Sequence, residues 1–265
     1  MRVGEDAPSA APDELLPGPL ATRLKQAPHR LLALDFDGTL APYTRDPRDA
    51  RALPAALEAL ARLAARAETT VAIVSGRPIP SLTRVVPIDT LHLVGEHGWE
   101  ERAPGAEPLL HPLAEEAALG LARLLDAVTS EGTKAKVERK RTGVAIHTRA
   151  LDPRGRAEAI EHFRVLYQRV AGRAGLRLDV LDGGAEAHAL GHDKGTAVRR
   201  LLAALPEKTL AIYVGDDVTD EPAFEAVAER GGGFKVGALS KTTAARHHLR
   251  EPAEVARLLA RVLSL

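Results

Sequence analysis

Four short motifs hold side chains able to do nucleophilic or acid–base work: Asp35-Phe36-Asp37-Gly38-Thr39, Ser75-Gly76-Arg77, Asp193-Lys194-Gly195 and Gly215-Asp216-Asp217. Taken singly, each has an ordinary reading. Asp-x-Asp is common on loops, Ser-Gly-Arg after a strand is a helix N-cap, Asp-Asp is a solvated turn and Lys-Gly a surface helix start. Their placement changes the reading. Three of them follow directly on short, continuous apolar runs: Leu31–Leu34, Val71–Val74 and Thr209–Val214. Such runs are strands buried on both faces, and open α/β sheets bind ligands beyond the carboxyl ends of their strands. One sheet rim would collect at least four acidic groups, the Ser75 hydroxyl and, nearby, Lys194.

Carboxylates held this close repel, at a cost of several kcal/mol unless a cation neutralises them. An all-oxygen cluster favours a hard ion, Mg2+ foremost. A phosphate monoester is repelled by the same carboxylates until a metal screens them. Asp35 can then attack phosphorus in line and form an acyl phosphate. Asp37 is placed to protonate the departing alkoxide and later to deprotonate the water that cleaves the intermediate. Ser75 can donate to a phosphoryl oxygen, and Lys194 can stabilise charge on the phosphoryl group and the nucleophile. Gly38 lets the turn form tightly beside the substrate.

The elements that must position these groups alternate along the chain. Residues 1–11 read as a loose tail, followed by a short helix over 13–26. Helical spacing covers 53–67, and a short helix or turn covers 81–86. A third buried strand, 91–94, precedes Gly95-Glu96-His97-Gly98. The pattern changes after about Pro108. An amphipathic helix over 115–129 leads into alternating strands near 135–140 and 143–149. A helix over 154–173 leads into a second alternating pair near 176–181 and 185–190, turned by Asp182-Gly183-Gly184. The parallel-type pattern then returns with helices over 194–204, 221–228 and 253–263 and strands over 209–214 and 233–236. The expected fold is a doubly wound α/β core, residues 1–108 and 190–265, interrupted by an α+β insert, residues 109–189. An interruption of that kind creates a cleft, and clefts host ligands.

Composition narrows the partners. The chain has 265 residues, with Lys plus Arg and Asp plus Glu at 36 each. Zero formal charge provides no global attraction to nucleic acid or anionic membranes, so an anionic ligand must be recruited by a local patch. Aromatics at 3% argue against a base-stacking surface. No segment approaches the ~18 uninterrupted apolar residues of a membrane span, and the first residues lack the basic start and apolar core of a signal peptide. With no cysteine, disulfides and thiolate metal sites are excluded and a cytoplasmic setting is expected.

Leu34-Asp-Phe-Asp-Gly-Thr39, Val74-Ser-Gly-Arg77, Asp193-Lys-Gly195 and Gly215-Asp-Asp-Val-Thr-Asp-Glu221 resemble the four motifs of the haloacid-dehalogenase superfamily. More narrowly they resemble the trehalose-6-phosphate phosphatase family, as do Gly95-Glu-His-Gly98 and the block from Glu138-Arg-Lys140 to His147-Thr-Arg149. The resemblance covers about residues 31–240. It implies Asp35 as nucleophile and metal ligand, Asp37 as acid/base and as a metal ligand through its backbone carbonyl, and Asp216 as a direct ligand. Asp217 and Asp220 would hold the metal site, and the insert would be a mobile cap closing on the sugar. Arg77, Glu96 and His97 join the expected substrate-binding set. The expected partner is a small phosphorylated sugar, met by a monomeric chain with no nucleic acid or membrane involved.

Strand alternation bears on the cap independently. Glu138 and Lys140 share a face, as do His147 and Arg149, with Val144 and Ile146 opposite. Glu186 and His188 share a face, with Ala185, Ala187 and Ala189 opposite. A sheet carrying Glu138, Lys140, Arg149, Glu186 and His188 on its free side can hydrogen-bond sugar hydroxyls; a plain solvated face would look the same. The family pattern has Arg or Lys followed by Pro where this chain has His188-Ala189, and Tyr where it has Thr148. His188 is therefore expected to face the closed site beside Glu186 and to influence sugar choice. The substrate is expected to be trehalose 6-phosphate, with another glycosyl, polyol or aminocyclitol phosphate as the alternative. Phosphoryl transfer between hydroxyls and a non-catalytic binding protein are the remaining readings.

Overall fold

The computed structural model describes residues 15–172, 174–181, 183–238 and 242–265. The expected tail, the start of the first helix before residue 15, Arg173 and the turn residue Asp182 lie outside them. Before the insert the chain forms α1 (Gly18–Gln26), β1 (His29–Leu34), α2 (Pro54–Ala64), β2 (Thr69–Val74), α3 (Ile79–Val85), β3 (His92–Gly95), β4 (Glu100–Arg102) and β5 (Leu109–Leu110). The insert contributes α4 (Glu115–Glu131), β6 (Lys136–Arg139), β7 (Gly143–His147), α5 (Pro153–Val170), β8 (Leu176–Leu181) and β9 (Gly184–Ala189). The return is built from α6 (Lys194–Ala203), β10 (Thr209–Gly215), α7 (Glu221–Val227), β11 (Gly231–Val236), β12 (His247–Leu249) and α8 (Pro252–Leu263).

Two sheets result, one of eight strands in the order β12-β11-β10-β1-β2-β3-β4-β5 and one of four in the order β6-β7-β9-β8. In the larger sheet β12 through β3 run parallel, with β1 between β10 and β2. Residue parity along β1 sorts its side chains onto two faces. Leu32 and Leu34 pack with Leu24 of α1, Leu60 of α2 and Leu258 of α8. Leu31 and Ala33 pack with Ala197 of α6 and Phe224 of α7. This is the doubly wound α/β arrangement that the apolar runs predict. Leu31 and Leu34 are at most 1% exposed, so truncating either to Ala is expected to cost about 2–5 kcal/mol.

The smaller sheet is antiparallel throughout. Val144, Ile146, Ala185 and Ala187 pack against Leu121, Leu124 and Val128 of α4 and Phe163 and Leu166 of α5. The opposite face carries Glu138, His147 and Glu186 toward the larger sheet. Strands β4, β5 and β12 were not anticipated, because two or three residues are too few to display a period. Since Leu109–Leu110 pairs with β4, the larger sheet continues past Pro108, the expected point of passage into the insert. No helix of the described residues is long and apolar enough to cross a membrane.

Candidate active site

Strands β1, β2 and β10 end at the same rim. The Asp35 amide continues the ladder by donating to the Val214 carbonyl at 2.9 Å, and the Ser75 amide does the same to Val94 at 2.9 Å. Asp35 and Ser75 are buried. The capping box of Asp193 and Thr196 starts α6, which places Lys194 at its first turn, pointing back to the rim. The Lys194 ammonium lies 2.7 Å from Asp35 Oδ2 and 2.7 Å from Asp220 Oδ1. Burial works against the Lys194 charge, but Asp220 and Asp35 outweigh it and hold its pKa above the usual lysine value.

The acidic cluster divides by function. Asp35, Asp216 and Asp220 offer oxygens within 4.8 Å of one another. Asp220, however, is saturated. Its Oδ1 accepts from Lys194 and from the Tyr213 hydroxyl at 2.6 Å, and its Oδ2 accepts from the Asp216 and Asp217 amides at 2.9 Å each. Four donors fill both oxygens, so in the metal-free protein Asp220 braces the loop and Lys194. Burial, opposed by Lys194 and reinforced by Asp220, pushes the Asp35 carboxyl up to about 7. Burial, then the charges of Asp35 and Asp220, push Asp216 well above the usual carboxylate range. These two oxygen donors could hold a hard cation. Asp217 lines the cavity mouth, and its carboxylate accepts from the Val218 amide at 2.7 Å.

A cavity of about 470 Å³ opens above this rim and is roofed by the smaller sheet. Asp37 lines it, but both of its oxygens are held at 2.6 Å by the Arg77 guanidinium. Arg77 also donates to the Pro47 carbonyl at 2.6 Å. Arg77 lines the cavity as well, with its guanidinium engaged in a bidentate grip on Asp37. On the roof, Lys140 donates to both oxygens of Glu186 at 2.8 Å. Burial disfavours the Glu186 charge, yet Lys140 and then His97 outweigh it and hold the carboxyl below its usual range. Glu138 pairs with His147 at 2.7 Å.

Glu96 and His97 adopt left-handed backbone, with φ of 44° and 58°. Such strain in non-glycine residues clusters at functional sites. His97 lies 3.5 Å from Glu186, and burial holds its pKa below the usual value. It packs so tightly on the Ser75-Gly76-Arg77 turn that a Cβ at Gly76 would stand 2.6 Å from His97 Nε2. Glu96 does not line the cavity. Its carboxylate accepts from the Arg141 amide at 3.0 Å and the Thr142 amide at 2.8 Å, which ties the β6–β7 turn to the larger sheet.

His188 also departs from expectation. It shares a face with Glu186, but it does not line the cavity. Its ring stacks against His97 with centroids 5.2 Å apart, and its Nε2 lies 2.8 Å from Asp179 Oδ2. Alternation fixed its face, while the His97 ring occupies the space between it and the cavity. Tyr43 was missed. It lines the cavity, donates to Asp216 at 2.5 Å and lies beneath the Arg149 guanidinium. The available signal was weak: one of three tyrosines in the chain, in the loop after Asp35-Phe36-Asp37-Gly38.

A family model described as Trehalose-phosphatase matches residues 33–254. The chain is 35% identical over 244 residues to a Mycobacterium tuberculosis protein described as an uncharacterized glycosyl hydrolase, covering 88% of this chain and 18% of that protein. It is 34% identical over 270 residues to the trehalose-phosphate phosphatase of Mycobacterium tuberculosis, covering 97% of this chain and 66% of that one. The chain thus spans less than two thirds of the length of these curated relatives. The C-terminal domain of the Candida albicans trehalose-6-phosphate phosphatase superposes with a TM-score of 0.83, covering 97% of this chain and 98% of that one at 23% identity, a likeness of fold. Taken with the motifs at the sheet rim, the family match over most of the sequence makes this chain a member of the trehalose-phosphatase family.

Proposed function

We propose that the protein is a Mg2+-dependent phosphatase that hydrolyses a phosphorylated sugar, trehalose 6-phosphate foremost, through an aspartyl phosphate on Asp35. The observation that carries the reading is the 2.7 Å contact between Lys194 and Asp35 at the floor of a cavity roofed by Lys140 and Glu186. A nucleophile with its counter-charge lies below, and a buried pair able to accept and donate hydrogen bonds lies above.

Asp35 and Asp216, with the Asp37 backbone carbonyl, would hold the Mg2+ ion, which when bound supplies positive charge against the phosphoryl oxygens and the clustered carboxylates. The donor chemistry fits: both carboxyls resist ionisation without a cation, and all donors are oxygen. An Asp35 oxygen attacks phosphorus as the bond to the sugar oxygen breaks. Asp37 protonates that oxygen. Water then attacks the phosphorus of the aspartyl phosphate, Asp37 takes its proton, and phosphate leaves with Asp35 restored. Arg77 grips Asp37 in the present geometry, so substrate entry has to part this pair before Asp37 can donate. Lys194 stays on Asp35 and steadies the developing charge. The Ser75 hydroxyl, which lines the cavity, donates to a phosphoryl oxygen. The Lys140–Glu186 pair, with His97 and Glu138, reads the sugar hydroxyls.

The test is phosphate release from trehalose 6-phosphate, other disaccharide phosphates and cyclitol phosphates, each with Mg2+ and with excess EDTA. Release that persists in EDTA would remove the metal from the reading. Release that prefers a cyclitol phosphate would replace the substrate and leave the chemistry in place.

A further inference from the structure

Tyr43 touches two parts of the site that the proposed reaction treats separately. Its hydroxyl donates to Asp216 Oδ2 at 2.5 Å, while the Thr39 hydroxyl donates to Oδ1 at 3.2 Å. Gly38, at φ 78°, lies so close that a Cβ would stand 2.2 Å from Asp216 Oδ2. One loop, residues 38–43, thus orients the Asp216 carboxylate from three sides. The other face of Tyr43 meets the smaller sheet. The guanidinium carbon of Arg149, just beyond β7, lies 3.5 Å from the Tyr43 ring centroid. The backbone of Gly183, between β8 and β9, backs the guanidinium so closely that a Cβ there would stand 2.3 Å from Arg149 Nη1. Close by, Lys136 of β6 pairs with Asp46 at 2.7 Å, a second tie from the smaller sheet to the same loop region.

We infer that Tyr43 is a positioning residue that couples the seating of the smaller sheet over the cavity to the metal-binding geometry of Asp216. This rests on the reading of Asp216 as a Mg2+ ligand. Hydrogen bonds to a ligating carboxylate fix its orientation, and their loss typically costs about 10–100-fold in metal affinity. A cation stacked on the phenol holds the ring in place and draws electron density from it, which makes the hydroxyl a better donor to Asp216. Arg149, expected from the sequence to bind sugar, is assigned here to the Tyr43 ring. Because coupling between two equilibria is reciprocal, Mg2+ on an oriented Asp216 also strengthens the seating of the smaller sheet.

The test is calorimetric titration of the full chain with Mg2+ alone, without substrate, for wild type, Tyr43→Phe, Arg149→Met and the double variant. Tyr43→Phe removes the hydroxyl and keeps the stacked ring. It is expected to weaken Mg2+ binding about tenfold. Arg149→Met is expected to weaken it about threefold, and the double variant to bind no more weakly than Tyr43→Phe, since Arg149 acts through the hydroxyl. Arg149→Lys, which keeps the charge without the planar stack, is expected to lie between wild type and Arg149→Met. Melting curves identify any variant that fails to fold, and the remaining members of the series then decide the matter. Equal Mg2+ affinity in wild type and Tyr43→Phe overturns the inference, as does full additivity in the double variant. Absence of Mg2+ binding by the wild type removes the proposed cofactor itself, and the coupling with it.

Discussion

Lys194 and Asp35 meet at 2.7 Å, although the chain between them builds the whole of the smaller sheet. Neither group is comfortable alone at that depth. Lys194 is 2% exposed and Asp35 6%, and each is the other's partner against desolvation. The contact also fixes the orientation of the Asp35 carboxylate, because Lys194 draws one oxygen and the Phe36 amide holds the other at 2.6 Å.

Asp35→Asn is expected to preserve the fold and lower turnover by about 10⁴-fold or more. The amide is nearly isosteric but cannot attack phosphorus. Steady-state kinetics beside a melting curve checks both halves. Turnover within a few-fold of wild type rules out the aspartyl phosphate.

Asp220 and Asp216 are expected to fail in opposite ways. Asp220→Ala strips a buried partner from Lys194 and from the Tyr213 hydroxyl, at a cost of about 3–5 kcal/mol of stability. Asp216→Ala relieves repulsion in the metal-free protein and costs Mg2+ affinity instead. Urea unfolding and Mg2+ titration of both variants separate the two roles, and equal stability losses would contradict the division.

The stability of the metal-free protein is expected to depend on pH through Asp35. Its folded pKa, about 7, lies above the ordinary 3.8. The folded state therefore binds this proton more tightly than the unfolded chain does. The contribution is fully present below about pH 4 and is lost as pH rises through about 7. Mg2+ binds the ionised form, so its stabilising effect grows over the same window. The check is the Mg2+-induced rise in melting temperature at pH 5 and pH 8. It is expected to be larger at pH 8, with the difference reduced in Asp35→Asn. Identical rises in wild type at both pH values would refute the assignment.

Sugar selectivity is expected to reside in the Lys140–Glu186 pair. Glu186→Gln is expected to lower kcat/KM for disaccharide phosphates by about 10–100-fold and to leave a small aryl phosphate little changed. His188→Ala, which removes a ring stacked behind His97, is expected to lower the melting temperature without reordering the preferred sugars. A changed preference in His188→Ala would return that residue to the substrate-binding set.

The larger sheet and the rim were legible because both are local patterns. Continuous apolar runs of four to six residues marked β1, β2 and β10, and the polar side chains of the rim begin one or two residues after each run. Alternation likewise placed Glu138 and Glu186 on one face of the smaller sheet and Val144 and Ile146 on the other. A period reports which face a residue takes and nothing about what stands opposite. Partnerships were decided by the packing of segments far apart in sequence. Arg77 grips Asp37, Asp220 receives Lys194, His97 comes between His188 and the cavity, and Arg149 finds Tyr43 only because the smaller sheet sits over the rim. Burial makes the choice compulsory for Lys194 and Asp220, since a charge taken out of water must be paired where it lies, and the available partner is known only once both sheets are in place.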